Sequence, residues 1–339
     1  MRAIYEIDAD RKTPKYLQII DSINNSIKNG ALKKGDRLLS INELSNEFFL
    51  SRDTVQKAYD LLEKKGVILP VRGKGFYINR TDFNTSHRIL LLFNKISNYK
   101  KQIYNAFVQT IGPHAVIDLK IHYSNVRIFN NLLENHLHEY DYYVIMPHFY
   151  ENANEAYSQI RKIPTEKLLI LDKDLSNLDT DYAAVYQDFK NDTRDALQNS
   201  LPLLKKYDRL KLVFPKMVAY PNEIITGFRN FCMEFGVKYD IIQEINPGME
   251  VKPKEAFIVI EETDLVNLIK ICQSKKLIVG KDVGIISYNE TPLKEILLNG
   301  ITVLSTDHAK MGESAARLIL ENRKEKIKNP FSLLIRKSL

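Results

Sequence analysis

The chain has 339 residues, which is longer than one ordinary domain and predicts two or three domains. Its composition, 44% hydrophobic and 27% charged, is typical of a folded globular protein. It has no apolar run of about eighteen residues and no signal-peptide core, so we expect a cytoplasmic protein without a membrane span. Cys232 and Cys272 are the only cysteines, too few for a disulfide framework or a zinc site, and we expect both in the core.

The net charge of +7 is concentrated near the N-terminus. Residues 1–80 contain fifteen Lys and Arg against ten Asp and Glu, a net +5, which leaves +2 for the other residues. A basic excess in the first quarter of the chain favours neutralisation of phosphates by that region.

The first predicted helix begins at Pro14 and ends near Gly30. Its apolar stripe consists of Tyr16, Ile20, Ile23 and Ile27. A second, shorter helix follows a capping box, in which Ser40 is the N-cap and Glu43 stands at the third helical position. A third helix begins after Ser51, because a serine hydroxyl at this position can accept a hydrogen bond from the first turn.

The third helix is amphipathic and is followed by a predicted hairpin. Its apolar stripe consists of Val55, Ala58, Tyr59 and Leu62. The opposite face carries Arg52, Asp53, Gln56 and Lys57, whose long polar side chains suit base edges and phosphates. Strand-like residues 67–70 and 76–78 flank a turn at 71–75. The order of helix, helix, helix and hairpin predicts a winged helix-turn-helix.

Residues 14–78 resemble the DNA-binding domain of the GntR family. The matching residues are Pro14, Tyr16, Gln18, Ile19, Gly30, Gly35, Asp36, Arg37, Leu38, Ser40, Glu43, Leu44, Ser51, Arg52, Thr54, Val55, Ala58, Leu62, Glu63, Gly66, Arg72, Gly73 and Gly75. The resemblance implies that this domain contacts DNA through the recognition helix and the wing. The candidate DNA-contacting residues are Arg37, Ser40, Asn42, Ser51, Arg52, Thr54, Gln56, Lys57, Arg72, Gly73 and Lys74.

The sequence departs from the family pattern at Asn42 and Gln56, where the family commonly has arginine. Arginine favours guanine, whereas Asn and Gln favour adenine, so we hypothesise an operator richer in A·T pairs than is common in the family. Some candidates also have structural alternatives. Arg52 could be a surface ion-pair partner, Arg37 could cap turn carbonyls, and Gly73 could serve only a positive φ in the wing.

The predicted domain boundaries are 1–79 for the DNA-binding domain, 80–87 for a polar linker and 88–339 for a larger domain. The larger domain alternates short apolar runs with amphipathic helices. The runs lie at 88–93, 116–121, 142–147, 167–172, 183–186, 211–214, 256–260 and 283–287. This alternation predicts an α/β fold with parallel sheets in two lobes, with ligands at the carboxyl ends of the strands.

Residues 88–337 resemble the effector domain of LacI/GalR-type repressors, which is related to periplasmic sugar-binding proteins. The stretches that carry the resemblance are 282–290, 300–304, 311–316, 227–229 and 234–237. The resemblance implies that Asp172, Glu261 and Asn289 project from strand ends into the cleft between the lobes, where they suit sugar hydroxyls. From the N-terminal lobe, the candidates are Tyr99, His148 and Phe149. Two departures, Ile224 for a common arginine and Asn289 for an aspartate, indicate a rebuilt site.

These resemblances predict a DNA-binding transcription regulator that works as a dimer on a near-palindromic operator. By analogy we expect a repressor of a sugar-utilisation operon that is controlled by a small sugar, such as a pentose or a deoxyhexose, without cofactor or metal. One alternative is a ligand sensor with a non-sugar effector or a degenerate DNA head. An enzyme is disfavoured, because the sequence contains no phosphate-cradling glycine loop, nucleophile elbow or paired metal-ligand motif.

Overall fold

A computed structural model describes residues 4–8, 14–81, 87–175, 178, 181–216 and 219–339. Contacts within the chain divide it into two compact units, which we call the head (residues 1–86) and the large unit (residues 87–339). Most of the predicted linker, residues 82–86, lies outside the described residues. Its last residue, His87, begins the first strand of the large unit.

The head is a winged helix-turn-helix, as predicted. Its elements are α1 (Lys15–Lys28), α2 (Ile41–Glu47), α3 (Arg52–Lys64), β1 (Ile68–Val71) and β2 (Gly75–Ile78). The strands pair antiparallel, with Ile68 opposite Ile78 and Val71 opposite Gly75, so that residues 72–74 form the tip of the wing. The predicted stripe of α3 is buried in the core of the head.

Serine side chains cap the N-termini of α2 and α3 in the head. The Ser40 hydroxyl accepts the Glu43 N–H at 3.2 Å, and the Glu43 carboxylate accepts the Ser40 N–H at 2.6 Å. This is the predicted capping box. The Ser51 hydroxyl accepts the Thr54 N–H at 3.2 Å and so caps α3. A cap of this kind contributes about 1 kcal/mol to stability, because it satisfies a backbone donor that has no partner within the helix.

The large unit has two lobes, each built on a sheet of parallel strands. In the N-lobe the strands are β3 (His87–Phe93), β4 (Ala115–Ile121), β5 (Tyr142–Ile145), β6 (Leu168–Asp172), β7 (Ala183–Tyr186) and β13 (Lys326–Lys328), in the order β13-β7-β6-β5-β3-β4. In the C-lobe they are β8 (Arg209–Val213), β9 (Tyr239–Ile242), β10 (Glu255–Val259), β11 (Val283–Tyr288), β12 (Thr302–Thr306) and β14 (Phe331–Leu334), in the order β14-β12-β11-β10-β8-β9. Among the described strands of these two sheets, only β14 is antiparallel to its neighbour. The predicted α/β fold is therefore confirmed.

Helices cover both sheets. They are α4 (Asn98–Ile111), α5 (Val126–His136), α6 (Ala153–Ile160), α7 (Phe189–Leu204), α8 (Glu223–Glu234), α9 (Glu262–Ser274), α10 (Pro292–Ile296) and α11 (His308–Leu320). Although α11 follows a C-lobe strand, it packs on α4 of the N-lobe. The chain thus crosses between the lobes after β7, after β12 and again between β13 and β14.

Both cysteines are buried in the C-lobe, as predicted. In the described ranges, no helix has the length and apolar character that a membrane span requires.

Candidate functional site

A cleft lies where the carboxyl ends of strands from both lobes meet, and it consists of two adjoining chambers. The inner chamber has a volume of about 120 Å³ and the outer chamber one of about 640 Å³. The inner chamber is lined by Asn94, Lys95, Tyr99, Lys100, Tyr123, Ser124, His148, Tyr150, Asp172, Gln187, Phe189, Ala219, Tyr220, Pro221, Tyr288, Asn289 and His308. The outer chamber shares Lys95, Tyr99, Lys100, Tyr220, Tyr288 and Asn289 with it and adds residues of α4, α9 and β4.

The floor of the inner chamber is organised around the buried carboxylate of Asp172, at the end of β6. Its Oδ2 accepts a hydrogen bond from His148 Nε2 at 2.9 Å and lies 3.7 Å from Lys100 Nζ, while its Oδ1 accepts from Gln187 Nε2. Burial alone would raise the pKa of Asp172, but the His148 hydrogen bond and the Lys100 charge hold it below its usual value. Asp172 is therefore an anion with its acceptor sites directed at fixed partners.

Lys100 is a buried cation in the first turn of α4. Desolvation lowers its pKa to about 8, and the charge of Asp172 opposes that shift. Its ammonium also donates to Asn94 Oδ1 and contacts Met146 Sδ at 3.0 Å. At neutral pH the side chain therefore remains predominantly charged beside Asp172, and the two charges offset one another.

A second ion pair joins the two lobes across the cleft. Lys95 follows β3 in the N-lobe, and its Nζ lies 3.7 Å from Oε1 of Glu261, which follows β10 in the C-lobe. The same ammonium donates to the Tyr220 hydroxyl at 3.3 Å. Because both lysines of the inner chamber have a carboxylate partner, the chamber has little net charge.

The walls of the inner chamber are aromatic, and its histidines are neutral. The rings of Tyr99 and His308 lie 4.9 Å apart, and Phe189, Tyr220 and Tyr288 supply further aromatic surface. Desolvation lowers the pKa of His308 to about 4. The pKa of His148 is also lowered by desolvation, which outweighs the effect of Asp172, so the Nε2 of a neutral imidazole carries the proton that Asp172 accepts.

The side-chain amide oxygen of Gln187, in the floor of the inner chamber, is left without a partner among the described residues. Gln187 is buried and donates its amide N–H to Asp172, but its Oε1 accepts no hydrogen bond from any described residue. A buried acceptor without a donor is unfavourable, and a ligand hydroxyl in the chamber would satisfy it.

In the head, the exposed face of α3 and the wing present cationic and amide groups. Among the described residues, the exposed side chains of Arg52, Arg72 and Lys74 have no ion-pair partner. The Gln56 amide donates to Asp60 Oδ1 at 2.7 Å, and the Lys57 ammonium lies 4.1 Å from the centroid of the Tyr16 ring.

Comparisons with known proteins agree with this architecture. Residues 15–78 match the profile of bacterial regulatory proteins of the gntR family, and residues 205–338 match that of a periplasmic binding protein-like domain. The HTH-type transcriptional repressor YtrA of Bacillus subtilis is 33% identical over 118 residues, which are 34% of this chain and 85% of that protein. The chain belongs to the GntR family of bacterial regulatory proteins.

Other GntR-type relatives match over a shorter part of the chain. The arabinose metabolism transcriptional repressor of Geobacillus stearothermophilus is 35% identical over 71 residues, which cover 21% of this chain and 20% of that protein. A dimeric Lac repressor with a C-terminal deletion aligns with a TM-score of 0.62 over 74% of this chain and 98% of its own, at 16% identity. At that identity the similarity shows the two-lobe fold alone.

Most of the predicted effector residues of this GntR-family chain come together in the cleft. Tyr99, His148, Asp172 and Asn289 line the inner chamber, and Glu261 lines the outer chamber. Phe149 lines neither chamber. Its ring instead packs against the N-lobe core, 5.0 Å from His122 and 5.1 Å from Phe129, and its contact with a ligand stays a prediction.

The predicted DNA-contacting residues lie on one helix-turn-helix and its wing. Asn42 and Arg52 are exposed, whereas Ser40 and Ser51 use their hydroxyls as helix caps. Arg37 Nη2 lies 3.9 Å from the Glu43 carboxylate. Gly73, with a φ of 75°, forms the wing tip between Arg72 and Lys74.

The cleft also contains residues that the sequence reasoning missed. Asn94 and Lys95 directly follow β3, and Gln187 directly follows β7. The rule that ligands bind at the carboxyl ends of parallel strands could have identified them. Tyr220 lies in an irregular segment of the C-lobe, and nothing in its sequence neighbourhood signals a role.

Proposed function

We propose that the protein is a sequence-specific repressor of a sugar-utilisation operon, active in the cytoplasm, whose operator binding is controlled by a small neutral sugar in the cleft. The observation that carries the proposal is the pairing of a GntR-type head with a two-lobe cleft that has matched charges and an unsatisfied acceptor. The head supplies DNA binding, and the cleft supplies control.

The support for DNA binding is the chemistry of the α3 surface. Arg52 stands at the first position of a capped helix, where the N-terminal residues of a recognition helix contact base edges. Arg72 and Lys74 flank the wing tip and suit contacts to phosphate or the minor groove. The amides of Asn42 and Gln56 support the hypothesis of an A·T-rich operator. For Gln56, a base contact requires that it release Asp60.

The support for a neutral sugar comes from the charge balance of the inner chamber. A phosphate or carboxylate would need an uncompensated cation, yet Lys100 pairs with Asp172 and Lys95 with Glu261. Carboxylate, amide and imidazole groups beside aromatic walls suit the hydroxyls and the apolar faces of a sugar ring. A volume of 120 Å³ suits one ring, such as a pentose or a deoxyhexose.

The proposal includes a homodimer on a near-palindromic operator. Leu293 and Ile296 lie three residues apart on α10 and are 62% and 73% exposed. Two large apolar side chains on one helix face favour contact with a second copy of the chain. The comparisons support this proposal: one relative is described as a repressor of arabinose metabolism, and one solved structure is described as a dimeric Lac repressor.

The regulator proposal is tested by binding of the full chain to the DNA upstream of its own gene. We expect a sequence-specific complex whose affinity falls steeply with salt concentration, because phosphate contacts release counterions. Equal affinity for unrelated DNA of the same length and composition would contradict the proposal and favour a ligand sensor with a degenerate head.

The effector class is tested by thermal unfolding with matched ligands. We expect a neutral sugar to raise the unfolding temperature, by an amount that corresponds to about 2.7 kcal/mol at a hundredfold excess over its Kd. Its phosphorylated and acidic counterparts should have little effect. Gln187→Leu, which removes the free acceptor, should reduce the response. Stabilisation only by an amino acid or a nucleoside would refute the sugar effector while leaving DNA binding intact.

A further inference from the structure

The turn between α2 and α3 presents an aromatic side chain to solvent. Phe49 is 96% exposed, the highest value among the large apolar side chains in the described ranges. Its neighbour Phe48 turns inward and packs against Tyr5, with 5.8 Å between the ring centroids. Phe48 therefore contributes to the core of the head, whereas Phe49 does not.

The backbone of the turn fixes Phe49 in this position. Ser45 hydrogen-bonds both polar groups of Leu50: its carbonyl accepts the Leu50 N–H at 3.0 Å, and its hydroxyl donates to the Leu50 carbonyl at 2.6 Å. Between them Phe49 has a φ of 52°, in the left-handed region. The two hydrogen bonds between Ser45 and Leu50 therefore fix the turn that directs the Phe49 side chain outward.

Phe49 is unfavourable for the isolated protein on two counts. A bulky residue in the left-handed region is strained, and glycine adopts that conformation without strain. A fully exposed aromatic ring also gains nothing from burial. Since the fold of the head does not require this side chain, a contact with another molecule would explain its presence.

The location of Phe49 favours DNA as that molecule. It stands two residues before the Ser51 cap and three before Arg52, at the entrance to α3. Residues at this end of a recognition helix enter the major groove. The apolar feature of that groove is the C5-methyl group of thymine, which phenylalanine side chains contact.

We propose that Phe49 packs against a thymine methyl group in the operator, so that the turn, as well as α3, contributes to sequence recognition. This inference rests on the proposed DNA-binding function. It assigns an apolar contact to a head whose other candidate contacts are polar, and it adds a thymine preference beside Arg52.

The contact is tested by replacing each thymine of the bound operator in turn with deoxyuridine, which lacks only the methyl group. For the wild type, we expect about a fourfold loss of affinity at one thymine of a half-site, which corresponds to one methyl group removed from an apolar contact. Phe49→Gly should weaken binding to the unmodified operator by about tenfold. The variant should not respond further to deoxyuridine at that position.

Phe49→Gly keeps the turn, because glycine tolerates the positive φ, so its unfolding temperature should equal or exceed that of the wild type. Met233→Ala removes an apolar side chain that is 75% exposed on α8 of the large unit, and it should leave operator affinity unchanged. If wild-type and Phe49→Gly proteins bind the operator equally, or if no single deoxyuridine matters, the inference fails. If the wild type binds no specific DNA, the proposed function itself fails.

Discussion

The protonation states of Lys100, His148 and His308 in the cleft are set by burial and by the nearby carboxylate of Asp172. Asp172 accepts hydrogen bonds from His148 and Gln187 and offsets the charge of Lys100. Breaking such a buried pair costs about 3–5 kcal/mol, because the remaining charge is left without a partner. Asp172 therefore belongs both to the stability of the N-lobe and to the proposed ligand site.

His308 should make stability fall as the solution becomes acidic. Its folded pKa of about 4 lies below the ordinary value of 6.5, because burial, together with the charges of Lys100 and Lys294, outweighs the opposing charges of Asp172 and Asp307. Between these pH values the unfolded chain binds more protons, so stability is retained above the unfolded pKa and is lost as pH falls towards 4. At pH 5 the loss from this one side chain is about 2 kcal/mol.

His308→Gln removes that contribution. In urea denaturation, the difference in unfolding free energy between wild type and variant should shift by about 2 kcal/mol between pH 7.5 and pH 5. The same substitution at His136, whose side chain is 26% exposed, is the control for the chemical change. A difference that does not vary with pH would show that His308 is not held neutral by burial.

Arg52 and Lys74 should have different effects on DNA binding. Arg52→Ala should cost about 1–3 kcal/mol on the specific operator and relax the preference at one base pair, if the side chain contacts a base. Lys74→Ala should weaken binding to all DNA sequences to a similar extent. It should also reduce by about 1 the slope of the logarithm of the binding constant against the logarithm of the salt concentration. Titrations at several salt concentrations, on operator and on scrambled DNA, separate the two. A uniform loss for Arg52→Ala would assign it to phosphate.

Helices α4 and α11 pack against each other and position side chains that line the inner chamber. The first turn of α4 carries Tyr99 and Lys100, and α11 begins with His308. The helices approach closely at Gly312, where a Cβ atom would lie 2.2 Å from the carbonyl oxygen of Ile103. This contact involves backbone, so it cannot be relieved by a change of rotamer.

Gly312→Ala should therefore force the two helices apart. We expect a loss of about 1–3 kcal/mol in unfolding free energy from overpacking, together with weaker stabilisation by the effector. Gly248→Ala is the matched control, because among the described residues beyond its two chain neighbours no heavy atom lies within 4 Å of the Cβ position there. If both variants unfold at the same denaturant concentration, the helices have room to adjust and do not set the geometry of the chamber.

Helix caps, apolar stripes and buried strands were predictable because each depends on neighbours along the chain. Ser40 and Ser51 cap the predicted helices, and Asp172 lies at a strand end as expected. Phe149 could not be placed in this way, because it packs against His122 and Phe129, which no local pattern relates to it. Tyr220 of the C-lobe meets Lys95 of the N-lobe only through the packing of the two lobes, which no local pattern encodes.

On the scale of the large unit, the cleft is lined by residues of both lobes, so a ligand bound in it can change how the lobes are arranged. Lys95 and Tyr220 already connect the lobes, and the chain crosses between them close to the inner chamber. A ligand that contacts Asp172 from one lobe and Asn289 from the other would favour one arrangement of the lobes. Only a difference in affinity between arrangements can transmit that preference to the head.

Coupling between the cleft and the head must act in both directions. If the effector lowers operator affinity by a given factor, the operator must lower effector affinity by the same factor. For a coupling free energy of about 1–3 kcal/mol, both changes should lie between about 5-fold and 150-fold. Effector titrations by calorimetry, with and without saturating operator, measure one arm, and operator titrations with and without effector measure the other. Gln187→Leu should weaken effector binding while leaving operator affinity of the ligand-free protein unchanged. An effector Kd that is identical with and without operator would show that the sensor does not control the head, even if each binds its own ligand.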